Sequence, residues 1–576
     1  MIRVRLWKIK PLLLLMAAFC CACNDPEPEP EPVPDPDPEA TVTLDELVDM
    51  ETYMEGMIVD SRFYKDERTV AIMLNDTEII YPVSLDLTWP GYYRIEILTG
   101  ESPAVEKDVV RLVVLDPERG QAEWGLAPWI PAGVEFSTIG SQEIRLIYPR
   151  SIPAGSSFPL VVTAGGEPGE SLVNLEASTG SGSFRIKRGT GSAWVSPGDT
   201  VMQIDHRVFP VKTRLLEGPP LELSGMLQAD TTIPMGSHLK IPGDLTIPAG
   251  MILSLEPGTF VSIDPGVNLY NEGSLRIRGT EYLPVTLTCS DPLDYWGGVI
   301  GKTGGNRVEA SYAICCRSGY HTGSEYNWGH AHRQALFYSQ DGSLYLDHCY
   351  MTDHIGQVFY TEQATLEMDH CLVQRVKTGG QLNGSRVTIG RSVFTDFPDD
   401  SNLYRDEDND GLYLIECVAE ISHSVFMFAK DDGLDSGGGS LGGDVTVTHT
   451  RFESNFHEGA ALSGGSTAAK NQRFFNCVFQ DCGQGLELGF SSHMHQVDVD
   501  SCLFFRNGIG IRYGDNYVYP NNGYISVSNS RSLENVSDDV WNMDREDWVA
   551  DTSHMAFSNV WVTKPNPMYP ELKILE

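Results

Sequence analysis

Positive charge is what this sequence has least of. Its 41 Lys and Arg stand against 79 Asp and Glu, a formal charge of −38. Four of the cations, Arg3, Arg5, Lys8 and Lys10, fall in the first 22 residues, so the remainder carries 37 against 79, or −42. A surface this acidic repels nucleic acid and anionic lipid, which excludes both as partners. It also disfavours polyuronates and sulfated glycans unless a cation or a local basic patch intervenes. Long apolar runs are missing as well. The apolar stretch Leu12 to Phe19 falls far short of the ~20 residues that a membrane-spanning helix needs. There are 12 cysteines but no paired C-x-x-C motifs at zinc spacing. What is plentiful is turn-forming residues, 56 Gly and 34 Pro. A chain of 576 residues is also too long for one compact core and should divide into two to four units.

The N-terminus, "MIRVRLWKIKPLLLLMAAFCCAC", sets a basic segment before a short apolar one, as in a secretory signal. Because it ends in cysteines it resembles a bacterial lipoprotein signal. Cys23, after the small Ala22, fits the lipidated position, although Cys20 stands where such signals usually have Leu. Residues 24–40, including "PEPEPEPVPDPDPEA", alternate proline with acid. That composition makes a stiff, extended, solvated spacer. It is similar to the tethers of surface-exposed lipoproteins of Bacteroidota. The resemblance implies an outer-membrane protein held by its lipid alone and exposed at the cell surface.

Residues 41–135 alternate in short strands such as "TVAIML" and "VVRLVVL" and read as a β-sandwich module. Residues 136–228 read as a second β-rich module. Neither contains a catalytic arrangement. From 229 to 576 a repeat takes over. "LYLDHCYM", "LEMDHCLV", "VTIGRSVF", "AEISHSVF", "VTVTHTRF", "RFFNCVF", "VDVDSCLF" and "ISVSNSRS" align on Cys349, Cys371, Ser392, Ser424, Thr450, Cys477, Cys502 and Ser530. The steps between them are 22, 21, 32, 26, 27, 25 and 28 residues. One repeat per coil, with like residues stacked about 4.8 Å apart, is the pattern of a right-handed parallel β-helix. The fold class expected is therefore all-β, a C-terminal β-helix preceded by β-sandwich modules. This part of the chain resembles the pectate-lyase-like superfamily, and its bacterial β-helix repeat proteins in particular. That fold serves lyases, hydrolases, adhesins and spacers alike, so the resemblance fixes no chemistry.

Interchange of Cys with Ser and Thr at the aligned position indicates a small buried residue, not a disulfide. The position before it holds His348, His370, Arg391, His423, His449, Asn476, Ser501 and Asn529. Asn and His tolerate a left-handed turn, which explains the column without a metal. Asp406, Asp408 and Asp410 precede Gly411 as D-x-D-x-D-G and can wrap one calcium ion, the only cofactor expected. The EF-hand pattern is incomplete, because Cys417 holds its twelfth place and Glu416 comes one residue early. A solvated acidic turn is the other reading.

"DGLYL", "DGLDS", "EGAAL", "QGLEL" and "IGIRY" stack on Gly411, Gly433, Gly459, Gly485 and Gly510. The residue after each glycine should point inward and the next one outward. The outward column is then Tyr413, Asp435, Ala461, Glu487 and Arg512, a polar stripe facing solvent. Asp432 and Glu458, just before their glycines, flank it. Asp435 and Glu487 lie two rungs apart, roughly 9–10 Å by strand spacing. That is near the range for the two carboxyls of an inverting glycosidase. Asp435, Glu487, Asp432, Glu458 and Arg512 are thus the candidate catalytic residues. "DDGLD" looks somewhat like a carboxylate motif of polygalacturonases, but their Gly-His-Gly rung and downstream Arg-x-Lys are not in register. The insertion "SGYHTGSEYNWGHAHRQ" offers Tyr326, Trp328 and His330 as a platform for pyranose rings. "YGDNYVYPNNGY" offers Tyr513 and Tyr517. The expected partner is extracellular polysaccharide, bound or cleaved. A non-catalytic adhesin or stalk is the alternative. The two differ in whether the carboxylates converge near aromatics or lie flat and paired.

Overall fold

The computed structural model describes the strand backbones within residues 42–115 and most of residues 144–575. Between those limits it leaves out 167, 169–173, 197–200, 205–206, 398–408, 438–442, 464–469, 490–494, 515–521 and 543–551. Cys23, Asp406, Asp408 and Tyr517 lie outside the described residues.

The protein is all-β. From Leu221 onward each strand pairs in parallel with the strand one coil later, starting with Leu221 opposite Leu239 and ending with Trp561 opposite Lys573. Each coil contributes three strands, so the wall of this parallel β-helix has three faces. The first face is a sheet of 13 strands, from Thr231–Ile233 to Met555–Ser558. The second and third faces share one sheet of 26 strands. Alternation within a strand decides which side chains enter the coil: in Ser343–Asp347, Leu344 and Leu346 are buried and their neighbours are not. Register then stacks like on like, as in Leu344, Leu366, Val387, Ala419 and Val445.

Two columns make the corners. Between the first and second faces, the aligned Cys, Ser and Thr residues are all buried. Their backbone N–H groups reach along the column: Cys371 N–H donates to Ser392 Oγ at 3.1 Å and Ser392 N–H to Ser424 Oγ at 3.2 Å. Each hydroxyl donates back to the carbonyl two residues earlier, at 2.7 Å for Ser392 and 2.9 Å for Ser424. The corner thus needs a small side chain that both donates and accepts, which only Cys, Ser and Thr supply. The residue before each has φ between 42° and 57°, His348 and His370 included, so the histidine column follows from backbone conformation. All nine described cysteines are free.

Between the second and third faces stands the glycine column. A Cβ on Gly433, Gly459 or Gly485 would lie 2.7, 2.6 or 2.5 Å from the carbonyl oxygen of the next glycine. Stacked rings close the inner side, with Phe452 and Phe479 centroids 4.8 Å apart and Phe479 and Phe504 4.7 Å apart. Close approach, and not a special φ, is what demands glycine there.

Residues 144–215 form antiparallel sheets of three and four strands around their own core. Ile147 and Val161 pack on the outer side of the second face against Ile314, Tyr350, Leu372, Val393 and Val425. Ser192 Oγ donates to Gln374 at 2.7 Å and Trp194 Nε1 to Asp353 at 3.1 Å, which pins this module to the coil. Residues 42–115 contribute a five-stranded and a three-stranded sheet.

Candidate functional site

The outward column of the third face runs in unbroken register. Its first half is Tyr270, Ile300, Tyr338, Tyr360 and Gln381. Its second half is Tyr413, Asp435, Ala461, Glu487, Arg512 and Trp541. Aromatic character gives way to charge at Asp435. The sequence-derived order of the charged half holds residue by residue, with Ala461 the one residue between Asp435 and Glu487.

The stripe is not solvated, contrary to expectation. Asp432, Glu458, Glu487 and Arg512 are buried, and Asp435 and Ala461 are half-buried. The reason is that long side chains in neighbouring columns lie across one another. Arg512 Nη1 meets Glu487 Oε2 at 2.9 Å and Gln484 Oε1 at 3.2 Å, and Gln484 Nε2 donates to Glu458 Oε1 at 2.5 Å. Backbone donors continue the chain of contacts: Glu458 N–H to Asp432 Oδ1 at 2.9 Å and Asp432 N–H to Asp410 Oδ1 at 3.4 Å.

His457 joins this cluster, a residue that sequence reasoning missed. Its Nδ1 lies 2.5 Å from Glu458 Oε2, 3.4 Å from Asp431 Oδ1 and 3.6 Å from Asp432 Oδ1. The signal was one place upstream of the column already aligned, where Asp431 and His457 stack as Asn409 and Gly483 do. Carboxylates therefore converge around one imidazole instead of lying flat.

Crowding and burial set the protonation states. Asp435 is pushed well above the carboxylate range by burial and by Asp432 and Asp431, with Lys470 and His330 opposing. Asp432 is pushed well up by burial, Glu458 and Asp431. Glu458 rises to about 7 through burial, with Glu487 adding and His457 opposing. Lys470, buried near Asp435, falls to about 8 because burial disfavours its charge. The site thus sets acids that are raised by burial and crowding beside a carboxyl, Glu487, paired with an arginine. Such a set supports proton donation to and abstraction from one substrate.

Asp431, Asp432 and His457 also offer ligand atoms within 4.8 Å of one another, as do Asp347, His348 and His370, and either group could hold a cation. In the expected calcium loop, Asp410 is buried and its carboxylate faces the Asp432 N–H.

The insertion 318–334 folds onto the aromatic half of the column. Tyr326 Oη meets Tyr270 Oη at 2.5 Å, and Trp328 stacks on Tyr338 at 4.4 Å and Tyr360 at 6.0 Å. The protein itself occupies those faces, which corrects the expectation of an open platform. His330 alone of the three is exposed, with its ring 4.6 Å from Tyr413 at the edge of the acidic cluster. Tyr513 is a second correction. Strand parity turns it inward once Arg512 points out, and it sits in the core with Oη donating to the Gly523 carbonyl at 3.1 Å.

Compared with protein-family models, with curated proteins and with solved structures, the chain gives no match.

Proposed function

We propose that the third face binds polysaccharide and hydrolyses a glycosidic bond with inversion, Asp435 serving as acid and Glu487 as base. One observation carries the reading: two carboxyls stand in one column with a single alanine between them, one crowded by buried acids and the other against an arginine. Burial and its acidic neighbours raise the Asp435 carboxyl well above the usual range, which suits it to donate a proton. Glu487 Oε2 lies 2.9 Å from Arg512 Nη1. A separation of about two rungs, near the 6.5–9.5 Å of inverting enzymes, leaves room for a water on the far side of the sugar. Ala461 contributes only a methyl group between them. Asp432, Glu458 and His457 tune the pair, and His330 lies where a neighbouring sugar would run.

The test is release of reducing ends from a panel of polysaccharides, with NMR of the first-formed anomer. Release with inverted configuration is the expected result. An active preparation that retains configuration removes the assigned roles. Binding without release makes the protein a glycan-binding surface component, and neither binding nor release leaves the adhesin or stalk.

The reading extends to the cell envelope. Lipid on Cys23 and the 24–40 spacer hold the β-helix outside the outer membrane, and Cys23→Ala should release it to the soluble fraction. Calcium at Asp406, Asp408 and Asp410 ties down the loop before the acidic column. A chelator should then lower the melting temperature, an effect absent in Asp408→Ala.

A further inference from the structure

The outer side of the second face carries two apolar stretches, and only the first has a described cover. One outward column runs Leu372, Val393, Val425, Arg451, Val478 and Leu503. Ile147 and Val161 of the antiparallel module lie on its first part, where Leu372, Val393 and Val425 are buried. Beyond Arg451 the column turns apolar again. Val478 and Leu503, with Phe505 and Leu533 of the neighbouring outward column, form a cluster of their own. They are 1%, 0%, 6% and 2% exposed, yet no described hydrophobic side chain packs on them from outside the coil.

An outward apolar residue is not buried by its own sheet. On the first face, Val418 and Phe475 also point outward, and they are 45% and 42% exposed. Arg506 covers part of Phe505, with its guanidinium 4.8 Å from the ring centroid, and ion-pairs with Asp481 at 3.0 Å. That contact concerns one of the four residues. The low exposure of all four requires a further cover, and in a single chain that cover belongs to the chain itself.

Residues 116–143 supply a segment of matching chemistry. They lie outside the described residues, between the strands of 42–115 and Ile144. Within them "WGLAPWIPAGVEF", Trp124 to Phe136, holds a single charged residue, Glu135, in a chain that is 21% charged. Solvated connections are polar or charged, and this one is neither. Its downstream end is also in the right place, because Ile147 already sits on the second face. Leu503 is three coils beyond Val425, about 14 Å at strand spacing. Fifteen positions separate Trp129 from Ile144, and at up to about 3.3 Å each they span that distance without being fully extended.

We propose that residues 124–136 dock on the second face over Val478, Leu503, Phe505 and Leu533, with Trp124 and Trp129 as the anchors. Two indoles bring a large apolar area to an apolar surface that water would otherwise meet. This segment and the antiparallel module then cover one continuous surface, on either side of the Arg188–Glu453 ion pair. The chain leading back to residues 42–115 is thereby fastened to the second face, and not to the third, where the acidic column lies. The proposal is independent of the hydrolase reading.

Hydroxyl-radical footprinting of the full chain, read by mass spectrometry, tests this. Phe475, open on the first face, is the internal standard. Phe505 should be modified at least about tenfold more slowly than Phe475, as expected for a ring beneath a docked indole. W124A/W129A should raise the Phe505 rate toward that of Phe475, while Tyr350, beneath the antiparallel module, stays protected. Phe505→Asp should in turn speed chymotrypsin cleavage after Trp124 and Trp129 by about tenfold or more. The tryptophan variant leaves every residue of the coil in place, so it carries the test if Phe505→Asp melts early. Modification of Phe505 as fast as Phe475 in the unaltered protein, or protection that survives W124A/W129A, overturns the proposal. Protection that disappears on dilution assigns the cover to a second copy and overturns it as well.

Discussion

Arg188 and Glu453, 265 positions apart, form a buried two-point ion pair that joins the antiparallel module to the coil. Arg188 Nε donates to Glu453 Oε2 at 2.8 Å, its Nη2 donates to Oε1, and Arg451 Nε approaches from the other side at 3.5 Å. Burial opposes the charge on Glu453, but the two guanidinium groups outweigh it and hold the carboxyl below its ordinary range. Glu453→Ala leaves two buried cations facing each other and should destabilise the protein by about 3–5 kcal/mol. Denaturant unfolding measures this. A change under about 1 kcal/mol would mean the contact is solvated in solution.

The corner column predicts a different hierarchy. Cys371→Ser puts into the column a residue it already uses at Ser392 and Ser424, and should be close to neutral. Cys371→Ala deletes the acceptor for the Cys349 N–H at 3.3 Å and the donor to the Asp369 carbonyl at 3.1 Å. Two lost hydrogen bonds in a buried corner should destabilise by about 1–3 kcal/mol. Thermal melts of the two variants should therefore separate, and reductant should move neither, since these thiols are free. Equal melts for Ser and Ala would show that size alone matters at this position.

The sequence revealed the fold because the repeat is physical. Each coil must solve the same corner twice, once with a small donor–acceptor and once with a glycine, so both solutions recur and can be counted. Register followed, and with it the order Tyr413, Asp435, Ala461, Glu487, Arg512. Exposure was not legible. A parity rule says which side of the wall a residue faces but not whether its neighbours cover it, and Gln484 and Arg512 do cover it. His457 was overlooked because its column mixes Asn, Asp, His and Gly and shows no repeating type. The insertion 318–334 was misjudged for a related reason. Tyr326 and Trp328 have the composition of a sugar platform, but Tyr270, Tyr338 and Tyr360, spread over 90 residues of sequence, are the partners they meet.

Protonation of the cluster should be visible in stability. Glu458 rises from an ordinary 4.5 to about 7, chiefly through burial. A carboxyl raised on folding stabilises below its unfolded value, and that stabilisation is lost as pH climbs from 4.5 through 7. His354 and His495 act in the opposite sense. Burial lowers them to about 4 and about 3, so they withdraw stability as pH falls below 6.5. The unaltered protein shows both limbs at once, and the difference from Glu458→Gln isolates one of them. Relative to the unaltered protein, that variant should gain stability between pH 4.5 and 7.5, by at most about 3 kcal/mol. A difference that stays flat over that window would place the Glu458 titration elsewhere.

The proposed catalytic pair makes the sharpest prediction, because its two members should fail differently. In the proposed role Asp435 supplies a proton, so activity should fall above the pH at which its burial-raised carboxyl ionises. In the proposed role Glu487, 2.9 Å from Arg512, receives one, so activity should also fall in acid. Together they give a bell-shaped dependence of kcat/KM on pH. Asp435→Asn should remove the alkaline limb and Glu487→Gln the acid limb, each lowering kcat by roughly a hundredfold or more. KM should move less in Asp435→Asn than in Glu487→Gln, since only the second leaves Arg512 without its carboxylate. Arg512→Gln should leave both limbs in place but raise the pKa of the acid limb, which separates a positioning role from a catalytic one. A bell that survives both carboxyl substitutions would put the chemistry outside this column. The loss of one limb in both variants would make the pair a single titrating unit, in which the acid and base assignments to Asp435 and Glu487 no longer hold.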